Sequence, residues 1–94
     1  MIWVVIERWL IEEDDQTIQR TMRDLRREAI HQPGYVSGET LRDAADPRHL
    51  LAVSTWSTRE EWEAWAASDA RRRIEDQIAP LLSEPERVGI FAPV

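Results

Sequence analysis

No cysteine occurs among the 94 residues, which removes disulfides, thiolate nucleophiles and cysteine-ligated zinc together. Lysine is absent as well. All 12 basic residues are arginine, so no side-chain amine is present to form a Schiff base. Only two histidines occur, His31 and His49, and their isolation predicts no metal site. No apolar run approaches the roughly 20 residues that cross a bilayer. The opening Ile2-Trp3-Val4-Val5-Ile6 lacks the basic start and small-residue cleavage site of a signal peptide, so a cytoplasmic location away from membranes is expected. A net charge of −6 offers no basic face for nucleic acid. Arg71-Arg72-Arg73 is short, surrounded by acids, and reads as a solvated helix face.

What is present is an ordinary globular composition, 43% hydrophobic and 32% charged, in one domain over residues 1–94. Ile2 to Ile11 reads as a strand whose two alternating sets are both largely apolar: Ile2, Val4, Ile6 and Leu10 against Trp3, Val5, Trp9 and Ile11. A strand apolar on both sides is covered on both sides. Asp14 or Asp15 offers an N-cap, and Ile18, Met22, Leu25 and Ala29 then form one stripe on a helix over 15–32. Pro33-Gly34 ends that helix. Tyr35 to Asp43 and His49 to Trp56 read as strands joined by the Asp46-Pro47 turn, an antiparallel hairpin. Ser57 and Glu60 form a capping box for a second helix running towards Ile78, with a bend near Ser68. Glu86 to Val94 closes the chain as a fourth strand.

The order β-α-β-β-α-β is the ferredoxin-like split βαβ arrangement, α+β with a four-stranded antiparallel sheet. Two helices cover one face of such a sheet. The other face, several hundred Å² at ordinary strand spacing, is apolar too, and a monomer seldom exposes that much. A homodimer with sheets packed face to face is therefore expected.

Three of the five tryptophans, Trp56, Trp62 and Trp65, lie where the third strand passes into the second helix. Trp56 and Trp65 are positioned to border one cavity between sheet and helices. They are either core plugs of a small domain or aromatic walls for a planar ligand. Trp62 reads as helix-to-sheet packing. Trp3 and Trp9 share a strand face whose partner, helices or second subunit, is open at this level; Trp9 is carried as a substrate-binding candidate. Tyr35 can donate a hydrogen bond to a ligand or pack on the helix end. Glu7 interrupts an apolar strand: a carboxylate in an apolar cavity has its pKa raised and can act as a general base, while the alternative is a rim salt bridge with its neighbours. Arg8, Glu39 and Arg42 carry the same ambiguity. His31 stands at a helix C-terminus, where the dipole favours its cation, and His49 at an exposed strand entrance.

Three segments together resemble the antibiotic biosynthesis monooxygenase family of dimeric α+β barrels. His31-Gln32-Pro33-Gly34-Tyr35 is similar to the family's turn before the second strand. Leu51 to Ser57 is similar to its third strand ending in W-x-S, and Glu60 to Ser68 to its E-a-x-x-x-W-x-x-S helix. The resemblance implies either a cofactor-free monooxygenase acting on a small planar phenol or quinol, or a non-catalytic dimeric module that binds a small hydrophobic metabolite. In the first case Trp65 and Trp56 line the pocket and Glu7 accepts the proton. Haem-degrading members carry a ligating His about ten residues after the helix tryptophan, where this chain has Glu75, and an Asn near Glu7. Both are replaced, so haem degradation is not expected and no cofactor is implied.

Overall fold

The computed structural model describes residues 1–13 and 16–94. Strand β1 spans Ile2–Trp9, helix α1 Gln16–Ala29, β2 Tyr35–Arg42, β3 His49–Trp56, α2 Arg59–Ala66, α3 Asp69–Ile78 and β4 Arg87–Phe91, with a 3-10 turn at Ala79–Leu81 between α3 and β4. The sheet is antiparallel in the order β2-β3-β1-β4, the ferredoxin-like α+β arrangement expected from the element order. The N-cap assigned to Asp14 or Asp15 lies outside the described residues. Among the described residues no helix is long and apolar enough to cross a membrane.

Alternation along β1 settles the question that its double apolar pattern leaves open. Val4, Ile6 and Arg8 are buried, whereas Trp3, Val5, Glu7 and Trp9 keep some exposure. The register carries this parity across the sheet, because Val4 faces Ser54, Ile6 faces Ala52 and Arg8 faces Leu50. Helices cover this even-numbered face. Val4, Ile6 and Trp56 pack there with Ala29, Trp62 and Trp65, and beside them Leu10, Ile18, Leu50 and Ile78 form a second cluster. Arg8 stands between the two clusters, with Ile6 in one and Leu10 in the other.

Local devices shape this frame. α1 ends at Ala29, three residues short of the expected Gln32, and Gly34, with φ of 85°, takes the left-handed position of the Gln32–Tyr35 turn, closed by Tyr35 N–H donating to Gln32 O at 3.2 Å; a side chain there would strike Glu61. A register shift between Tyr35 and Ser37 is the second. It pairs Tyr35 with Trp56 and Ser37 with Thr55, so residues two apart point to opposite faces. Gly38 then leaves space for the Tyr35 hydroxyl, which a Cβ at that position would meet.

The third device is the helix start after β3, one residue later than expected. Thr58 rather than Ser57 caps α2, its hydroxyl accepting from Glu61 N–H at 3.2 Å and bonding the Glu61 carboxylate at 2.9 Å. Both Ser57/Glu60 and Thr58/Glu61 fit the same four-residue pattern, and Ser57 N–H is already engaged with Gly34 O at 2.7 Å. The bend at Ser68 is a full break. Ser68 Oγ donates to Trp65 O at 2.8 Å and accepts from Arg71 N–H at 3.2 Å, closing α2 and capping α3.

Candidate functional site

The tryptophans converge because the end of β3 and the buried face of α2 aim at one place. Trp56, Trp62 and Trp65 are 1%, 4% and 3% exposed. Trp56 meets Tyr35 edge-on at 5.4 Å and Trp62 at 5.7 Å, geometries favoured by the ring quadrupole. Its indole N–H donates to Ser54 Oγ at 3.0 Å. Among these rings lies a cavity of about 70 Å³ whose walls include Ile6, Ala52, Tyr35 and all three tryptophans. That is far below the roughly 300–1,000 Å³ of an ordinary small-molecule site. The rings therefore serve as plug and wall at once. Trp62, expected only to pack, shares the wall equally.

Arg8, Arg26 and Arg71 also line the cavity. Arg8 is 1% exposed. Its Nη2 donates to Glu75 Oε1 at 2.7 Å and its Nε to Glu86 Oε2 at 3.1 Å. Arg71 lies 3.4 Å from Glu75 and 3.3 Å from Glu86, with its guanidinium 5.4 Å over the Trp62 ring. Arg71 thus turns inward while Arg72 and Arg73 stay exposed, so only part of the arginine run is a solvated face. Burial raises the Glu75 carboxyl above the usual range against the pull of Arg8, and its hydrogen bond with Glu86 raises it further. Burial also works against the Glu86 charge, but the bond with Glu75 and the charges of Arg8 and Arg71 outweigh it, and that carboxyl lies low.

Glu7 and Trp9 do not join this cavity. Their odd-numbered positions in β1 put them on the opposite sheet face, so the grouping of Glu7 with Trp65 and Trp56 is corrected on that point. Glu7 lies 3.8 Å from Arg87 and 3.9 Å from His49, the salt-bridge alternative its neighbours allow. Trp9 stacks on His49 at 4.9 Å with 3° between the planes, and the Arg87 guanidinium sits 5.2 Å from its ring centre. His49 is therefore only partly exposed, unlike the open position expected for it. Its Nδ1 meets Asp43 Oδ2 at 2.9 Å, and this bond holds the Asp43 carboxyl below its ordinary range. Trp65, Trp56 and Tyr35 line the cavity, and Arg8, ambiguous in the strand pattern, turns inward.

The sequence model of a family described as antibiotic biosynthesis monooxygenase matches residues 1–77. No curated protein matches the sequence. A conserved protein from Methanosarcina mazei Go1 is similar in structure at 17% identity and a TM-score of 0.92, over 99% of this chain and 92% of that one. SnoaB, a cofactor-independent oxygenase from Streptomyces nogalater, is similar at 13% identity and a TM-score of 0.84, over 99% and 93%. Rv0793 from Mycobacterium tuberculosis is similar at 19% identity and a TM-score of 0.82, over 100% and 96%. At these identities the likeness is one of fold.

Proposed function

The chain belongs to the antibiotic biosynthesis monooxygenase family, and from that membership and its tryptophan-walled cavity we propose that it binds a small planar phenol or quinol and oxygenates it without a cofactor. The observation that carries this reading is the meeting of Trp56, Trp62, Trp65 and Tyr35 around one cavity that arginines also line. Flat aromatic walls hold a ring in one plane and exclude water from it. Trp65 and Trp56 are the walls, and Tyr35, turned inward by the register shift, is the hydroxyl donor. A phenol with a free para carbon then reacts with one dioxygen to give a quinone and one water. The substrate supplies all four electrons; one oxygen atom bonds to carbon and the other leaves in water.

Oxygen uptake with a panel of single-ring quinols and anthrone-like phenols tests the proposal. Trp65→Phe, which keeps a ring but loses part of the wall, is expected to lower kcat/KM by about tenfold, the scale on which misplacement acts. Glu7→Gln, on the far sheet face, is expected to leave the rate unchanged. Equal rates for wild type and Trp65→Phe overturn the assignment, and a loss in Glu7→Gln returns the proton acceptor to the sheet face.

One observation favours the non-catalytic alternative, a binder of a small hydrophobic metabolite. The cavity is small, and the one carboxylate among its lining residues, Glu39, is exposed. Haem does not fit. Glu75, where the ligating histidine of haem-degrading relatives would fall, is tied to Arg8 and Arg71.

The uncovered sheet face supports a homodimer. Trp3, Leu41 and Phe91 are 38%, 45% and 57% exposed there, with Val5, Leu51 and Val53 half-buried beside them. A second copy with the same apolar face buries it symmetrically. Sedimentation velocity is expected to show a dimer for the wild type and a folded monomer for Trp3→Glu; a wild-type monomer rejects the pairing.

A further inference from the structure

We propose that Arg8 anchors a carboxylate, so that the ligand of the cavity is an aromatic acid. The inference rests on reading the cavity as an aromatic site and adds the charge of what enters it. Arg8 occupies a core position, in line with Val4, Ile6 and Leu10 on the helix-covered face. Burying a guanidinium there is a weak way to gain stability, since an aliphatic side chain needs no desolvation of charge. Its presence calls for a use.

Geometry supplies one. The planar fork presents five N–H donors. Nε is engaged by Glu86 and Nη2 by Glu75, but the buried Nη1 has no hydrogen-bond partner among the described residues. The same residue lines the cavity. A buried, charged donor without an acceptor is unfavourable, and an oxygen brought by a ligand removes the deficit.

The surrounding charges leave room for an anion's bond. Arg8 and Arg71 face Glu75 and Glu86, two cations against two carboxyls, and the Nη1 donor of Arg8 is left unused by both. A carboxylate fills it with a charge-assisted hydrogen bond, which a neutral ring does not supply. Between anionic groups, a carboxylate arrives ionised at neutral pH, while a phenol with an ordinary pKa of about 10 must first lose its proton. The remaining walls are apolar rings, which fit the body of an aryl acid.

Calorimetric titration of the full chain with 4-hydroxybenzoate and with its neutral isostere 4-hydroxybenzamide, each to millimolar concentration, tests the proposal. The acid is expected to bind about ten- to a hundredfold more tightly, the factor a charge-assisted hydrogen bond supplies. Arg8→Lys keeps the charge but not the fork, and is expected to lose that preference. Should that variant not fold, the Arg8 Nε–H resonance of the wild type decides, since it must shift with the acid and not with the amide. Equal binding of acid and amide, or acid binding without that shift, overturns the anchor and leaves the aromatic cavity standing. Binding of neither compound overturns the anchor and the aromatic reading together.

Discussion

Arg8→Met is expected to lose about 3–5 kcal/mol of stability at pH 7, the scale on which breaking a buried ion pair acts. The methionine fills the space of the aliphatic stem. It leaves Glu75 and Glu86, whose side chains are 17% and 22% exposed, without their most buried cation. Since a domain of this size has roughly 5–15 kcal/mol in all, the variant sits near the edge of folding. Acid should restore part of the loss. With the guanidinium gone, burial and mutual repulsion hold both carboxyls above their unfolded values, so the folded state binds more protons than the unfolded one. Stability then falls as pH rises through that window and recovers as pH drops from 7 towards the ordinary carboxylate range.

The wild type should respond differently. Glu86 lies low, a contribution that is complete above the unfolded carboxylate value and lost as pH falls. Glu75 lies high, and its contribution runs the opposite way, so the two oppose each other. Urea denaturation of both proteins between about pH 4 and 8 reads this. A loss below about 1 kcal/mol, or no recovery in acid, would show that the carboxyls reach solvent when Arg8 is gone.

The sequence carried the fold because its signals are local. Pro33-Gly34 makes the turn into β2 although α1 already ends at Ala29, the hydrophobic stripe Ile18, Met22, Leu25 and Ala29 sets that helix's buried face, and β3 runs from His49 to Trp56 as its apolar run indicates. Helix ends were less legible, since two overlapping capping patterns at Ser57 and Thr58 differ only in which hydroxyl is free. The site was half legible. Trp56, Trp65 and Tyr35 reach the cavity, although Tyr35 does so through a register shift that no composition signals.

The charged residues of β1 were the hard part. When both alternating sets of a strand are apolar, period-two reasoning cannot say which set faces the helices. Glu7 and Arg8 therefore exchange roles on a one-residue change of parity. A signal was present, since Arg8 falls in the aliphatic set with Val4, Ile6 and Leu10 while Glu7 falls with Trp3 and Trp9. The partners that make Arg8 tolerable, Glu75 and Glu86, stand 67 and 78 residues away, and no local pattern links them.

Trp56→Ala is the second large effect, and it asks how far the indole is plug rather than wall. Truncation of a buried Trp costs about 3–5 kcal/mol through lost transfer energy and the void left behind. Trp56 belongs at the upper end. It is 1% exposed, its ring is edge-packed on both Tyr35 and Trp62, and each such pair adds about 0.5–1.5 kcal/mol beyond area. Ser54 Oγ would also lose its donor. Trp56→Phe keeps most of the ring contacts, gives up that hydrogen bond, and is expected to cost only about 1–2 kcal/mol. The cavity offers a second reading of the same variants. An alanine opens the 70 Å³ space by the volume of an indole, so a folded Trp56→Ala should admit two-ring phenols that the wild type excludes. Chemical denaturation and ligand titration measure the two effects on one sample. A loss under about 2 kcal/mol with new binding of larger rings makes Trp56 a wall, whereas a loss near 5 kcal/mol without it makes Trp56 the plug on which the core is built.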